Sequence, residues 1–351
     1  MPMNSNSPKV TVLTPAYNEA KYIAGCIESV LAQTYQNWEY IIVDNCSKDE
    51  TLEVAQRYAK LDPRIRVIHN EALLPQAKNF NFTVQQISAD SQYCKFVQGD
   101  DFIYPQCLEE MVKLAESNPS VGIVTSYRLD GEKVKGDGLP VKMTVVPGKE
   151  MCRRTLTSGM FVFGTPTTVM FRSSILRSRT PFFNESCLHF DTEACYEFLQ
   201  KWDLGFVHQI LSWSRTDNIS ITSSLMRFSP DQIDYLITFK KFGPLYLEPV
   251  LYEKRMAEIE YYFYAFLGRA FWKTRDKDFW KYQKDGLRVA GCELSKSRLA
   301  WHAFMAVLHV VGNPVAALQK AFGGDRPKNL ASPAGAAPVN QTGVSGQPKQ
   351  A

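Results

Sequence analysis

The feature that most constrains this chain is a regular alternation of short apolar runs with amphipathic segments. KVTVLTP (9–15), WEYIIVD (38–44), IRVIH (65–69), YCKFV (93–97) and VGIVTS (121–126) are rich in β-branched and aromatic residues, and runs of this kind read as strands. The segments between them carry helical spacing. Ile23, Ile27, Val30 and Leu31 share one face, as do Leu108, Met111, Val112 and Ala115. Strands alternating with helices predict an α/β fold with a mostly parallel sheet. In such sheets ligands collect at the carboxyl ends of the strands. The polar clusters fall there: TPAYNE after the first strand, DNCSKD after the second and QGDD after the fourth. Ser47 and Glu50 have capping-box spacing ahead of the second helix, and Pro105 suits a helix's first turn.

Asp100 and Asp101 are adjacent carboxylates at a strand end. Two like charges side by side are unfavourable unless a cation or a set of donors sits with them. One reading is a hard divalent cation, Mg²⁺ or Mn²⁺, completed by water or phosphate oxygens. The other is a turn whose aspartate caps the helix that Pro105 begins. Asp44 ends the second strand. It either accepts hydrogen bonds from a nucleobase or ribose, or is a turn residue. Asn18 caps a helix, or leaves the backbone of its loop and Glu19 to face a nucleotide.

These elements, in this order, resemble the opening of family 2 glycosyltransferases of the GT-A fold. The matching pieces are TPAYNE, SVLAQTY, WEYIIVDNCSKDET and the acidic pair of VQGDD. The clear resemblance covers about residues 9–126 and a fainter one runs to about 222. It implies that Pro15, Tyr17 and Glu19 line a nucleotide pocket, that Asp44 contacts the base, and that Asp100 and Asp101 hold the metal and sugar nucleotide. Asp101 is then the direct metal ligand. QAKNFNF (76–82) falls where the family often has Arg-Asn, which puts Lys78 and Asn79 near the nucleotide. Lysine offers a point charge rather than a bidentate fork.

The resemblance extends to the acceptor half. GTPTTVMFRSSIL (164–176), FNESCLHFDTEACYEFLQKW (183–202) and LSWSRTDNISIT (211–222) follow the family's sequence of blocks. In that scheme Asp191 is the catalytic base, with Glu193 and Glu185 as rivals. Its structural alternative is an N-cap for a helix over 192–201. The chemistry requires a base, because a sugar hydroxyl is a poor nucleophile until a carboxylate takes its proton. SRTDNIS lies where many relatives have Arg-x-His. Arg215 is thus placed to clamp diphosphate or pair with a structural acid, and Asp217 to ligate the metal or form a turn.

The division expected is a flexible N-terminus (1–8), a GT-A domain (9–230) with nucleotide-binding (9–126) and acceptor (127–230) halves, a helical region (231–322) and a disordered tail (323–351) rich in Gly, Pro, Ala, Gln and Asn. RLDGEKVKGDGLP reads as a turn-rich excursion and TTVMFRSSIL as a strand. Ile259, Tyr262, Phe263, Phe266, Leu267 and Ala270 share a helical face. The helical region either packs on the catalytic core, as favoured for 248–273, or rests on the inner membrane face. For 297–318 both readings stay open.

A net charge of +4 does not demand a nucleic-acid partner. The eight cysteines show no zinc spacing and read as reduced thiols, and no apolar leader is evident, so a cytoplasmic or peripheral enzyme is expected. No GxGxxG follows the first strand, which disfavours a dehydrogenase. TPAYNEAKY lacks the Gly-rich basic loop of a sugar nucleotidyltransferase. The function implied is inverting transfer of a sugar from a nucleotide sugar to a glycan or lipid-linked acceptor hydroxyl, in bacterial polysaccharide assembly. The alternative is a non-catalytic nucleotide-binding or scaffold protein of the same fold.

Overall fold

The computed structural model describes residues 7–216 and 226–312. Asp217 and the expected disordered tail lie outside the described residues. The elements, in chain order, are β1 (Val10–Ala16), α1 (Ile23–Leu31), β2 (Trp38–Asp44), α2 (Thr51–Leu61), β3 (Ile65–His69), α3 (Gln76–Val84), β4 (Tyr93–Phe96), β5 (Phe102–Ile103), α4 (Cys107–Glu116), β6 (Val121–Asp130), β7 (Lys133–Lys135), β8 (Val145–Val146), α5 (Gly148–Ser158), β9 (Met170–Arg172), α6 (Ser173–Leu176), α7 (Phe190–Phe198) and β10 (Asp203–Ser214). Among the described residues four helices follow: α8 (Pro230–Tyr246), α9 (Pro249–Lys273), α10 (Lys277–Val289) and α11 (Lys296–Gly312).

The strands form one mixed sheet in the order β3-β2-β1-β4-β9-β6-β10-β5, with β7 beside β6 and β8 beside β10. β3, β2, β1 and β4 run parallel. β9 is antiparallel to both of its neighbours, and β10 runs parallel to β6. Two antiparallel steps restore the original direction. The strands β1, β2, β4, β6 and β10 therefore all end at one edge of the sheet. Strand order reverses between β1 and β4, and a crevice forms outside the carboxyl ends at such a point.

The central strands are buried on both faces, which is why they read as nearly continuous apolar runs. Val10, Val12, Tyr40 and Ile42 face α1, α2 and α4 through Ile27, Val30, Val54 and Met111. Leu13, Ile41 and Val43 face the other way, into a core with Phe80, Phe96, Phe183 and Phe190. The same core continues into Ile233, Leu236 and Phe239 of α8 and Ile259, Phe263 and Leu267 of α9. The helical region thus packs on the sheet domain, as the buried-annex reading of 248–273 expected. Tyr262 is an exception on that face and lies exposed.

Several local expectations are corrected. Ser47 does not cap α2, whose N-cap is Glu50 with no side-chain cap bond. α4 begins at Cys107, after an N-cap at Gln106, so Pro105 lies outside it. The start of the turn-rich excursion is a hairpin, in which Asp130 pairs with Lys133 around Gly131 at φ +58°. TTVMFRSSIL is not one strand: a 3₁₀ turn (Pro166–Thr168), the three-residue β9 and α6 divide it. The register of β10 against β6 shifts between Val207 and Ile210 and again between Ile210 and Ser212, irregularities of the β-bulge kind.

Candidate active site

The loops after β1 and β2 brace each other. The N–H of Asn18 donates to Ser47 Oγ (2.9 Å), Lys48 N–H to Asn18 Oδ1 (2.9 Å), Glu19 N–H to Thr51 Oγ1 (2.7 Å) and Ala20 N–H to Asp49 Oδ2 (3.0 Å). Asn18 is therefore not a helix cap. It adopts φ +55°, a left-handed conformation that asparagine tolerates better than most residues. The brace fixes Pro15, Tyr17 and Glu19 at the edge of the crevice, with Tyr17 exposed.

Asp101 is buried and accepts from Thr167 Oγ1 (2.6 Å), Ser214 Oγ (3.2 Å) and the Arg215 N–H (3.1 Å). None of these donors belongs to α4, so Asp101 is no helix cap. β5 follows directly and pairs with β10, with Phe102 stacked on Trp213 at 5.0 Å, which pins the turn to the end of β10. Gly99 packs on Glu19: a Cβ there would lie 3.0 Å from its Cγ. The Arg215 guanidinium stacks on the Tyr22 ring at 3.8 Å. Glu19, Asp100, Asp101 and Arg215 thus converge, though they come from the ends of three strands.

A strap over 164–168 carries Thr167. Beneath it Lys95 of β4, fully buried, donates to the Thr167 carbonyl at 2.5 Å, and burial lowers its pKa. Gly164 holds φ +69°, and a Cβ there would sit 2.7 Å from Thr168 Oγ1, 2.8 Å from Thr168 Cβ and 3.0 Å from Arg128 Nη1. Gly164→Ala is expected to cost about 2 kcal/mol or more, from left-handed strain and displacement of the strap. Calorimetry should show a clear fall in Tm. Gly25→Ala, where an added Cβ meets nothing within 4 Å, is the control and should show none.

Asp191 is the second helical residue of α7, whose N-cap is His189. The N-cap alternative is therefore corrected, and the helix's N-terminal N–H groups face this anion. Burial raises its pKa, opposed by His189, backbone N–H groups and Arg128. Its side chain lines a narrow apolar pocket with Phe96, Phe163, Gly164, Pro166 and Phe183, so it shares the strap with Asp101. The rivals are committed elsewhere. Glu193 is buried in an ion pair with Lys241 and accepts from Asn184 at 3.1 Å. Glu185 accepts from Asn81 (3.2 Å) and lies 4.0 Å from Lys78 Nζ. Lys78 is thus paired at the acceptor side. Asn79 is buried and accepts from Asn70 Nδ2 at 3.0 Å, which also donates to Asn45.

Asp44 has no exposed side-chain surface. Its Oδ2 accepts from His69 Nδ1 (2.7 Å) and from Ser47 N–H (3.2 Å). The eight cysteines form no disulfide, and Cys46 sits in the loop after β2 at φ +61°.

The acids suit a cation that substrate completes. Among the described residues no three His, Cys, Asp or Glu side chains form a cage, but Mg²⁺ and Mn²⁺ are ordinarily held by one or two carboxylates plus phosphate oxygens. Asp101 keeps lone-pair capacity beside its three donors. Burial, and then the charges of Asp100, Asp49 and Asp101, push Glu19 up to about 8, with Arg215 opposing. Burial, and then Asp100, push Asp101 up to about 7. Unfolded carboxyls release their protons near pH 4. Between there and pH 8 the native state binds more protons than the unfolded chain, so stability falls as pH rises. In EDTA the Tm is expected to drop from pH 5 to pH 8, and Mn²⁺ should restore it at pH 8. A flat profile would contradict this reading of the acids.

The family described as Glycosyl transferase family 2 matches residues 11–182. Residues 11–182 belong to glycosyl transferase family 2. The putative teichuronic acid biosynthesis glycosyltransferase TuaG of Bacillus subtilis is 34% identical over 139 residues, 40% of this chain and 53% of that protein. The chain spans about half the length of the curated relatives it matches. TarS (1–349) of S. aureus, solved with UDP-GlcNAc, superposes with a TM-score of 0.59 at 20% identity, covering 84% of this chain and 87% of that one. A mannosyltransferase from Pyrobaculum calidifontis, solved with GDP-Man and Mn²⁺, gives 0.52 at 16%, covering 92% and 89%. The fold of this chain is thus GT-A, with a helical region after it.

Four further residues of the candidate site are not singled out by the sequence. Thr167 and Ser214 bind Asp101, and only their polar character within apolar blocks hints at it. Arg128 is buried, holds Asp130 in a two-bonded pair (2.7 and 3.1 Å) and bears on Asp191. His69 faces Asp44, and its place at a strand end was the available signal.

Proposed function

We propose that the chain is an inverting glycosyltransferase that moves a sugar from a nucleotide-diphosphate sugar to an acceptor hydroxyl. The observation that carries this reading is the convergence of Glu19, Asp100, Asp101 and Arg215 at one sheet edge, joined to Asp191 by the strap over 164–168. The donors in the TarS and mannosyltransferase structures, UDP-GlcNAc and GDP-Man, support the donor class.

In this reading Asp191 takes the proton of the acceptor hydroxyl. The oxygen then attacks the anomeric carbon opposite the departing diphosphate, and configuration inverts in one displacement. In the same reading Arg215 clamps the diphosphate. Asp100 and Asp101 would hold a divalent cation, Mg²⁺ or Mn²⁺, which would offset charge developing on the leaving group. Thr167 and Ser214 fix the Asp101 carboxylate, and Lys95 fixes the strap.

The setting proposed is polysaccharide or lipid-linked glycan synthesis at a membrane face. Among the described residues no helix is long and apolar enough to cross a membrane. α11 nevertheless exposes Trp301, Phe304, Met305 and Leu308, and Trp272 of α9 lies against it through an Nε1–H bond to the Ala303 carbonyl at 2.8 Å. A concave patch is lined by Arg275, just before α10, and by Lys277, Lys281, Lys284 and Arg288 of α10. Aromatics beside cations suit an anionic lipid surface.

The test is release of nucleoside diphosphate from UDP-, GDP-, CDP- and ADP-sugars with Mn²⁺, with and without membrane extract as acceptor source. One donor class should turn over, stop in EDTA and yield a product of inverted anomeric configuration. No release from any donor would overturn the proposal.

A further inference from the structure

The end of β2 carries a carboxylate that faces no solvent. Ala16, Asp44 and His69 lie abreast across three adjacent strands, at the edge where the crevice opens. Asp44 is 0% exposed, whereas the His69 side chain beside it is 45% exposed. Asp44 Oδ2 is filled by His69 Nδ1 and the Ser47 N–H, and among the described residues no protein donor reaches the buried Oδ1. A ligand arriving from the crevice meets imidazole first.

A carboxylate bonded to one ring nitrogen sets the tautomer of the other. With Nδ1–H given to Asp44, neutral His69 leaves Nε2 as an acceptor at an exposed position. On the preceding reading of the crevice as a nucleotide site, we infer that His69 is the residue of this chain that reads the nucleobase, and that Asp44 is a positioning residue acting through it. An Nε2 acceptor matches a base with a ring N–H on its pairing edge. Uracil and guanine carry one. Adenine and cytosine carry ring acceptors there, which leave two lone pairs opposed. Tyr17, exposed and directly after Ala16, is placed beside the same edge to offer a ring face. The buried network of Asn45, Asn70 and Asn79 fixes the loops after β2 and β3, and therefore the strand end that carries His69.

The experiment is calorimetric titration of the full chain with UDP, GDP, CDP, ADP and inorganic pyrophosphate in Mn²⁺. Wild type is compared with His69→Ala, His69→Gln, Asp44→Asn and the double variant of His69→Ala with Asp44→Asn. Wild type should prefer UDP or GDP. His69→Ala should weaken the preferred nucleotide about tenfold or more, the worth of one good hydrogen bond, and flatten the preference among bases. Pyrophosphate binding should stay unchanged. Glutamine keeps an acceptor oxygen and should restore part of the preference, which also decides the matter if the alanine variant folds poorly. Asp44→Asn should reduce the same preference, and the double variant should be no worse than His69→Ala alone. The inference is overturned if both His69 variants bind like wild type while Asp44→Asn loses the nucleotide, because the carboxylate then reads the base itself. Pyrophosphate binding without any nucleotide preference in wild type also overturns it, yet leaves a diphosphate site standing. No binding of any probe overturns the underlying nucleotide-site reading with it.

Discussion

Asp101→Asn is expected to yield a protein that is at least as stable as wild type in EDTA at pH 8, and inactive. The two effects come from the same environment. The carboxylate is buried next to Asp100, and its pKa is pushed up to about 7, so at pH 8 the native state carries a charge that its surroundings disfavour. The amide removes that charge and keeps the shape. Its oxygen can accept from the Arg215 N–H, while its NH₂ donates to the hydroxyls of Thr167 and Ser214, whose protons rotate to suit. What is lost is the anion. Transfer should fall by about 10²–10³ or more, the range for removing one preorganised electrostatic group, and Mn²⁺ should no longer raise the Tm. A variant that keeps its rate within a few-fold would remove Asp101 from the site. Stability gained as function is lost is the usual sign of a group kept in an unfavourable place for its chemistry.

Asp191→Asn should lower kcat by about 10²–10⁴, the usual worth of a general base, with little change in donor KM. Burial holds the Asp191 pKa above the ordinary carboxylate value, which makes it a better proton acceptor near neutral pH. The sign follows: a raised pKa means activity is lost as pH falls through that value. The acid limb of wild-type kcat/KM should therefore stand above pH 4, where an unperturbed carboxyl would put it. Glu193→Gln is the comparison. Glu193 is tied to Lys241 and Asn184, so its loss should lower the Tm and leave the acid limb in place. Loss of the limb in Glu193→Gln, and not in Asp191→Asn, would exchange the two roles.

The sheet's parallel half was legible because β1 and β2 are seven residues long and almost wholly buried, hence largely apolar, and the shorter β3 and β4 repeat the β-branched and aromatic pattern. The runs at 38–44 and 65–69 match β2 and β3 end for end, and the acids at their ends follow from the direction in which parallel strands run. β5 and β9 carry no such signal. They have two and three residues, and are strands only because β10, β4 and β6 supply partners. The partners of Asp101 were hidden for the same reason: Thr167 and Ser214 stand 66 and 113 residues away. Helix starts failed locally, since Ser47 and Asn18, good caps by composition, are used to brace one loop against another. His69 escaped notice because its place at a strand end is a weak signal until the neighbouring strand supplies Asp44 as its partner.

The three residues of β9 have a consequence during synthesis. Met170 and Phe171 lie between β4 and β6 and bond to both. Until the ribosome has released residue 172, β4 and β6 each present an unpaired edge in a nascent chain already more than half of the sheet domain long, and such edges invite pairing with other chains. Closure of the sheet is thus a late, long-range step, slow by nature because it joins segments far apart in sequence. Fragments ending before residue 170 should collect in inclusion bodies, whereas the full chain should not.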